Sequence, residues 1–251
     1  MIKLFRHIRY NIMSENKTGR YFKYAIGEII LVVVGILIAL GINNWNQNRL
    51  SDKQELTYLS NLKEELGNNI KQLSVIDSIY SSFEKSNEEG LNLLKNNPSI
   101  YEFKTIDSLI GTMWMTFQVT NSTYDEMLNN GSFYSLNDKA LKSQIDEHYS
   151  LSKRYETAFL ELNSTGQKIT YNTHIYPLEV LLDRLYQNPI NLNGIDTTWI
   201  HHSNSKIYTG YFRKVKFFHS SSKTRKRLVK TFTNSCNNLI EQIDKELTYH
   251  D

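Results

Sequence analysis

The strongest constraint on this chain is an apolar stretch near its N-terminus, from Tyr24 to Ile42. It contains one charged residue, Glu28, and the fourteen residues from Ile29 to Ile42 are all apolar or glycine. Nineteen helical residues extend about 28 Å, which matches the hydrocarbon core of a bilayer. We therefore predict a transmembrane helix over residues 24–42, with the lipid bilayer as its partner.

The charges on either side of this stretch predict its orientation. Arg49 and Lys53 are the cations in the twenty residues that follow it, whereas six precede it: Lys3, Arg6, Arg9, Lys17, Arg20 and Lys23. Because Lys and Arg are retained in the cytoplasm, we place residues 1–23 inside as a basic amphipathic segment, and residues 43–251 outside. The long basic segment favours an uncleaved signal anchor over a cleaved signal peptide.

Two small residues within the stretch predict a contact between spans. Gly35 and Ala39 are four residues apart, so they share one helix face on which a second helix can approach closely. A homodimer through this face is one interpretation. The other is that these residues have no such role, since glycine is common in membrane spans without association.

The N-terminal sequence also resembles a known family. The resemblance lies in residues 19–29 (GRYFKYAIGEI), residues 35–40 (GILIAL) and residues 43–46 (NNWN), with a second similarity at residues 123–136. These segments resemble a flavobacterial-type bacterial family of uncharacterised single-span membrane proteins, a domain of unknown function. The resemblance implies an inner-membrane protein with a helical external domain, and it implies no activity.

Apolar spacing in the external part predicts an all-α helical bundle. Apolar residues recur every three or four positions over residues 56–83, 106–119, 141–155 and 228–247, which is typical of amphipathic helices. The first of these helices is expected to end near Gly90 or Asn97-Pro98. It either packs within its own bundle or forms the stalk of a parallel dimer.

Several local signals predict where the other helices begin and end. Thr123 and Glu126 have the spacing of a capping box, and Gly131 is placed to end that helix. Asn137 is expected to cap the next helix, and Gly166 to break it. Pro177 fits the first turn of a further helix. Residues 188–205 read as a loop, and residues 208–218 are ambiguous between strand and helix.

The residues that carry chemistry do not form a recognisable catalytic motif. The seven histidines lack metal-ligand spacing, and the sequence has no nucleophile elbow and no phosphate-binding glycine loop. The sequence therefore predicts no metal and no cofactor. A single cysteine, Cys236, excludes an intramolecular disulfide, and its helical spacing predicts a buried side chain.

A basic run near the C-terminus is the candidate binding segment. Nine Lys or Arg residues occur between Asp196 and Glu241 without an intervening acid. The predicted contacts to an anionic envelope component or protein partner are Arg213, Lys214, Lys216, Arg225, Lys226 and Arg227. An external location disfavours nucleic acid. The alternative is a solvated face that offsets the acidic middle of the chain.

These features favour a non-enzymatic interaction or scaffold module, anchored by one span in a bacterial inner membrane, with a cytoplasmic N-terminus and a periplasmic C-terminal domain. One alternative is an extracytoplasmic sensor that binds a ligand between helices and signals through a partner. Another is an envelope hydrolase with a carboxylate or His site assembled from distant helices, for which His148, His174, His201 and His202 are the histidines to test.

Overall fold

The computed structural model describes residues 18–171 and 175–250, and these residues form an all-α structure. No strand occurs within these two ranges, so the predicted fold class is confirmed. The helices are α1 (Thr18–Lys95), α2 (Glu102–Leu109), α3 (Ser122–Asn130), α4 (Lys139–Thr170), α5 (Tyr176–Leu185) and α6 (Lys206–His250), with a 3-10 turn at Thr198–His201.

Helix α1 is continuous for 78 residues and contains the whole predicted span. Its most apolar 18-residue window has a mean hydropathy of 2.8, and none of that window is buried, so α1 is long and apolar enough to cross a membrane. The helix contains no proline and ends at Lys95, two residues before Asn97-Pro98, as predicted. The chain divides into two compact units, residues 1–57 and 58–251.

The larger core of the second unit lies where α1, α4 and α6 pack together. The apolar seam predicted for α1 is buried there, including Leu59, Leu62, Leu66, Leu73 and Tyr80. These side chains meet buried residues of the other two long helices, among them Ile145, Phe159, Phe232 and Ile243. The seam is therefore covered by the chain's own domain, as the bundle interpretation expects.

A second core lies at the other end of the same unit. It joins the last turns of α1 to α2, α5, the 3-10 turn and the beginning of α6. Phe103 is at its centre, with the rings of Trp199 and Tyr211 at centroid distances of 5.5 and 6.0 Å. The apolar residues of α5, Leu178, Leu181, Leu182 and Leu185, are all buried in this core.

The helix predicted over residues 106–119 is wrong beyond Leu109. Residues 110–121, here called the strap, have no regular secondary structure. The Asn87 side chain accepts from the Gly111 N–H at 3.0 Å and donates to the Gly111 carbonyl at 2.9 Å. The Asn69 side chain makes the same pair of bonds with Thr120, both at 2.8 Å. Side-chain amides thus replace the hydrogen bonds that a helix would have made.

The strap runs antiparallel to α1 and is almost fully extended. Asn69 and Asn87 are eighteen residues apart, which is about 27 Å along an α-helix. Their partners Thr120 and Gly111 are nine residues apart, and nine extended residues cover about 30 Å. Between these two pairs, nearer Gly111, the Tyr80 hydroxyl donates to the Met113 carbonyl at 3.0 Å. The apolar pattern beyond Leu109 therefore reflects an extended, partly buried segment in which Phe117 is the fully buried side chain.

The N-terminal caps of α3 and α4 differ from the predicted ones. The expected capping box of α3 does not form, because Glu65 of α1 accepts from the Thr123 N–H at 2.8 Å instead. Gly131 ends α3 in the left-handed conformation at φ +83°, as predicted. Helix α4 is capped by Asp138, and the prediction of Asn137 is wrong by one residue.

Three further predictions about helices are decided by the structure. Gly166 does not break α4, which continues to Thr170. A Cβ atom on Gly166 would lie 2.5 Å from the Trp114 ring, so the glycine lets the strap lie close to the helix. Residues 208–218 are helical within α6, which settles their ambiguity. Pro177 lies in the first turn of α5, as predicted.

Candidate functional site

The exposed cations of the predicted binding segment form one line along α6. Lys216, Lys223, Arg227 and Lys230 are all exposed, and we call these four residues the basic stripe. They are seven, four and three residues apart, so at 100° per residue they lie within about 60° of one another around the helix. Arg213 is also exposed and lies one turn before the stripe.

Arg225 belongs to the same run of sequence but does not lie on this surface. It is nine residues from Lys216, which places it on the opposite side of α6, where it is fully buried. Its guanidinium donates to Asn163 Oδ1 at 2.7 Å and to Ser221 Oγ at 3.1 Å. The structure therefore separates Arg225 from the cations with which it was grouped.

The guanidinium of Arg225 lies between two aromatic rings. Its central carbon is 5.3 Å from the Tyr80 ring centroid and 5.7 Å from that of Phe159. Burial lowers the pKa of Arg225 from its ordinary value, although a guanidinium still carries its charge at neutral pH. Cation–π contacts and two hydrogen bonds offset part of the desolvation of this charge.

Two other residues of the predicted set are half-buried and already have contacts. Lys226 donates to a carboxylate oxygen of Glu84 at 3.0 Å, which joins α6 to α1. The Lys214 ammonium lies 5.9 Å from the Phe218 ring centroid. In contrast, no residue of the basic stripe makes an ion pair with another described residue. The stripe therefore presents four cations that the described part of the domain does not neutralise.

Gly35 and Ala39 lie on the apolar part of α1, and both are exposed. A Cβ atom built on Gly35 would have no other atom within 4 Å. The small-residue face is therefore open within the first unit, and a second helix has room to approach it.

A buried carboxylate, Glu65, connects α1 to the start of α3 and to α4. It accepts hydrogen bonds from Ser122 Oγ, the Thr123 N–H and the Tyr149 hydroxyl, each at 2.8 Å. Burial and the Glu65 charge raise the pKa of the Tyr149 hydroxyl, so it remains a donor at neutral pH. Three donors satisfy this carboxylate, which therefore serves to fix the three elements together.

Beside this network, a cleft of about 460 Å³ lies between the strap, α3 and α4. The stacked rings of Tyr124 and Tyr149, at a centroid distance of 4.1 Å, form part of its wall. Asp125, Lys153 and Glu156 contribute charged groups of both signs. The cleft is large enough for a small polar ligand, and its wall is fixed by the bonds to Glu65.

The histidines occupy separate places. His148 is buried, with Nδ1 2.8 Å from Ser235 Oγ and Nε2 4.0 Å from Cys236 Sγ. Burial lowers the pKa of His148 to about 4 and raises the pKa of the Cys236 thiol to about 12. His201 ends the 3-10 turn and His202 follows it, whereas His174 is outside the described residues. In the ranges that the structure describes, no three His, Cys, Asp or Glu residues form a metal-binding group.

Comparison with known protein families gives one match. A model of a family of unknown function, DUF6090, matches residues 28–174, which is more than half of the chain. The chain belongs to DUF6090. No curated protein and no solved structure matches it significantly. The predicted resemblance to a family of unknown function is therefore confirmed at that level.

The DUF6090 match covers most of the span, the strap and most of the buried network. It includes Glu65, Asn69, Asn87 and Asn163, and it ends before α6 begins at Lys206. The basic stripe thus lies outside the matched residues. In this DUF6090 protein, the matched part forms α1 to α4, and α6 completes the larger core.

Sequence reasoning missed the residues that hold the strap, although a signal for them exists. Glu65, Asn69 and Asn87 are polar residues on the apolar face of α1, where Leu66 and Leu73 are also buried. A buried polar side chain needs a hydrogen-bond partner, and three on one face indicate a backbone segment lying against it. Asn69 and Asn87 are five full helical turns apart, so both face the same segment.

Proposed function

We propose that this DUF6090 protein is a single-pass inner-membrane protein of bacteria whose external helical domain is a non-enzymatic interaction module for an anionic partner. The observation that carries the proposal is the exposed apolar part of α1, which belongs to the same continuous helix as the core seam of the domain. An apolar surface of this size needs a covering, and its length suits a bilayer.

The distribution of cations supports a cytoplasmic N-terminus. Six Lys or Arg residues precede the span and two follow closely, which is the asymmetry expected of an N-terminal segment that remains inside. With this orientation, residues 43–251 face the periplasm. The partner would then bind outside the cytoplasm, where the basic stripe could meet anionic groups of the envelope.

The test is the accessibility of a cysteine placed just after the span. Ser51 is exposed, and a Ser51→Cys variant in a Cys236→Ala background has one thiol. A membrane-impermeant thiol reagent is added to cells whose outer membrane alone is permeable. We expect labelling of a full-length protein in the membrane fraction. Labelling only after the inner membrane is opened would overturn the orientation, and recovery in the soluble fraction would overturn the anchor.

A second candidate function is a periplasmic sensor, and the 460 Å³ cleft favours it. Ser152 lines the cleft from α4 and is half-buried, so Ser152→Trp should fill the space. A sensor would show thermal stabilisation by a small polar ligand that this variant loses. Leu160→Trp, at an exposed site of the same helix outside the cleft, is the control. Equal ligand-dependent shifts in both variants would remove the cleft from consideration.

A further inference from the structure

The basic stripe has the geometry of a linear charged track. From Lys216 to Lys230 it covers fourteen residues, which is about 21 Å along the helix axis. Its cations lie within one narrow sector, and no acidic residue occurs between positions 197 and 240. A partner that neutralises all four cations at once must present several anionic groups over about 21 Å.

On α6 itself, the exposed residues around the stripe are polar. The other exposed residues of α6 between positions 216 and 238 are hydroxyl and amide side chains: Ser220, Thr231, Asn234, Asn237 and Asn238. Among the described residues of α6, Tyr249 is the only exposed large apolar side chain, and it lies nineteen residues beyond Lys230. The track thus offers charge and hydrogen bonds without an apolar anchor.

This composition selects among the classes of anionic partner. A helix that binds a lipid surface inserts apolar side chains beside its cations. Protein interfaces usually centre on buried Trp, Tyr or Arg anchors, and single-stranded nucleic acid stacks on exposed aromatic rings. The exposed face of α6 around the stripe carries neither an aromatic ring nor an apolar anchor. The stripe therefore suits a highly hydrated polyanion that is recognised through ion pairs and through hydrogen bonds to its hydroxyl groups.

We propose that the basic stripe binds an acidic polysaccharide, with Lys216, Lys223, Arg227 and Lys230 pairing with its anionic groups. The neighbouring hydroxyl and amide side chains hydrogen-bond to its sugar hydroxyls. This proposal rests on the proposed function, because it names the class of partner for that interaction module. Arg225 takes no part, since it is buried on the opposite side of α6.

The experiment measures binding of the full chain, in a non-ionic detergent, to fluorescently labelled alginate, a polymer of uronic acids. The test variant replaces all four stripe residues by glutamine. The control variant replaces four exposed cations elsewhere, Lys71, Lys85, Lys139 and Arg154, so that both variants lose the same charge. All four control positions lie on α1 and α4 and none belongs to α6. Far-ultraviolet circular dichroism and the melting temperature verify that each variant folds.

We expect the stripe variant to bind alginate at least about tenfold more weakly than wild type at low salt, with the control close to wild type. The slope of log affinity against log salt should flatten by about 0.7 for each ion pair that the substitutions remove, if the polymer behaves as other single-stranded polyanions do. Neutral dextran should bind none of the three proteins. An equal weakening in both variants would indicate a net-charge effect and overturn the proposal.

Further probes separate this proposal from the broader function. Poly-glutamate and vesicles of phosphatidylglycerol with phosphatidylcholine are offered to the same three proteins. Stripe-dependent binding of one of these without alginate binding would overturn the polysaccharide proposal while leaving an anionic interaction module. Binding of none of them would overturn both, and the cysteine-labelling result would still stand as a separate measurement of the anchor.

Discussion

The side-chain amide of Asn69 pairs with the backbone of Thr120 through two hydrogen bonds of 2.8 Å, one in each direction. Asn87 repeats this arrangement with Gly111 five helical turns later. Each asparagine therefore acts towards the strap as a peptide group of a neighbouring strand would act. Two such pairs set the position of the strap along α1.

Replacing Asn69 by alanine should destabilise the domain by about 1–3 kcal/mol, because the partly buried N–H and carbonyl of Thr120 lose their partner. Asn69→Asp should also destabilise it, since a carboxylate cannot donate to the carbonyl. The matched control is Asn68→Ala on the exposed side of the same turn. Urea unfolding in detergent, followed by tryptophan fluorescence, measures the difference. Equal effects at both positions would contradict the assigned role of the pair.

Arg225 and Asn163 should be strongly coupled. Arg225 donates to Asn163 Oδ1, and Asn163 Nδ2 donates to the Met115 carbonyl, so the guanidinium orients the amide that holds the middle of the strap. We expect Asn163→Ala to cost about 3 kcal/mol with Arg225 present, because a buried charge is then left without one of its acceptors. In an Arg225→Met background the same change should cost at least about 1 kcal/mol less. Additive effects in this double-mutant cycle would disprove the coupling.

His148 should make the domain less stable in mild acid. Burial lowers its pKa to about 4 in the folded state, against an ordinary value of 6.5, with the Glu65 charge opposing the shift. Above pH 6.5, His148 is neutral in both the folded and the unfolded chain, and the free energy of unfolding has its full value with respect to this residue. Part of this stability is lost as the pH falls towards 4, because the unfolded chain takes up the proton first. The loss is at most about 3 kcal/mol.

The measurement for His148 is the free energy of unfolding between pH 7 and pH 4, compared with a His148→Gln variant. Acidic groups titrate in both proteins, so the difference between the two curves isolates the histidine. As the pH falls, wild type should lose more stability than the His148→Gln variant. Parallel curves would show that His148 takes up its proton equally in the folded and unfolded states.

Two glycines within helices should respond in opposite ways to alanine. A Cβ at Gly166 would lie 2.5 Å from the Trp114 ring and 2.9 Å from Phe217, so Gly166→Ala should destabilise by about 1–3 kcal/mol. A Cβ at Gly67 meets no atom within 4 Å, and Gly67→Ala should stabilise α1 by up to about 1 kcal/mol. Melting temperatures report both. An increase in melting temperature with Gly166→Ala would refute close packing of the strap on α4, whatever the result at Gly67.

Bulky residues at the small-residue face should weaken a span dimer, if one forms. Replacing Gly35 and Ala39 by leucine removes the close approach of two helices, whereas Gly27→Leu keeps that face. Förster transfer between labelled copies in liposomes measures association. We expect the double variant to lose most of the wild-type signal and Gly27→Leu to retain it. A signal that is independent of Gly35 and Ala39 would remove this face from the proposal.

Apolar spacing predicted the long helices because their burial follows a period that is visible in the sequence. The seam of α1 and the buried face of α6, including Phe232, Cys236 and Ile243, were predicted in this way and are confirmed. The strap was missed because Ile106, Ile110, Met113 and Phe117 also have helical spacing. Its true conformation depends on side-chain amides 24 and 51 residues away, which a local pattern does not contain.

In the basic segment too, a local sequence pattern did not predict the environment of every residue. The run predicted a charged surface, and Lys216 and Arg227 are exposed, while Arg225 is buried two residues from Arg227. A helical projection places Arg225 opposite Lys216, but residues 208–218 were ambiguous between strand and helix. The cap of α3 differs because Glu65, from a distant part of α1, competes with the local box at Thr123.

The spacing of Asn69 and Asn87 also makes the attachment of the strap depend on an intact α1. The two amides face one side only while the helix between them is intact, because a lost turn rotates one relative to the other. The strap can therefore bind at both ends only after this part of α1 has formed. Loss of a helical turn between Asn69 and Asn87 should therefore release one end of the strap from α1.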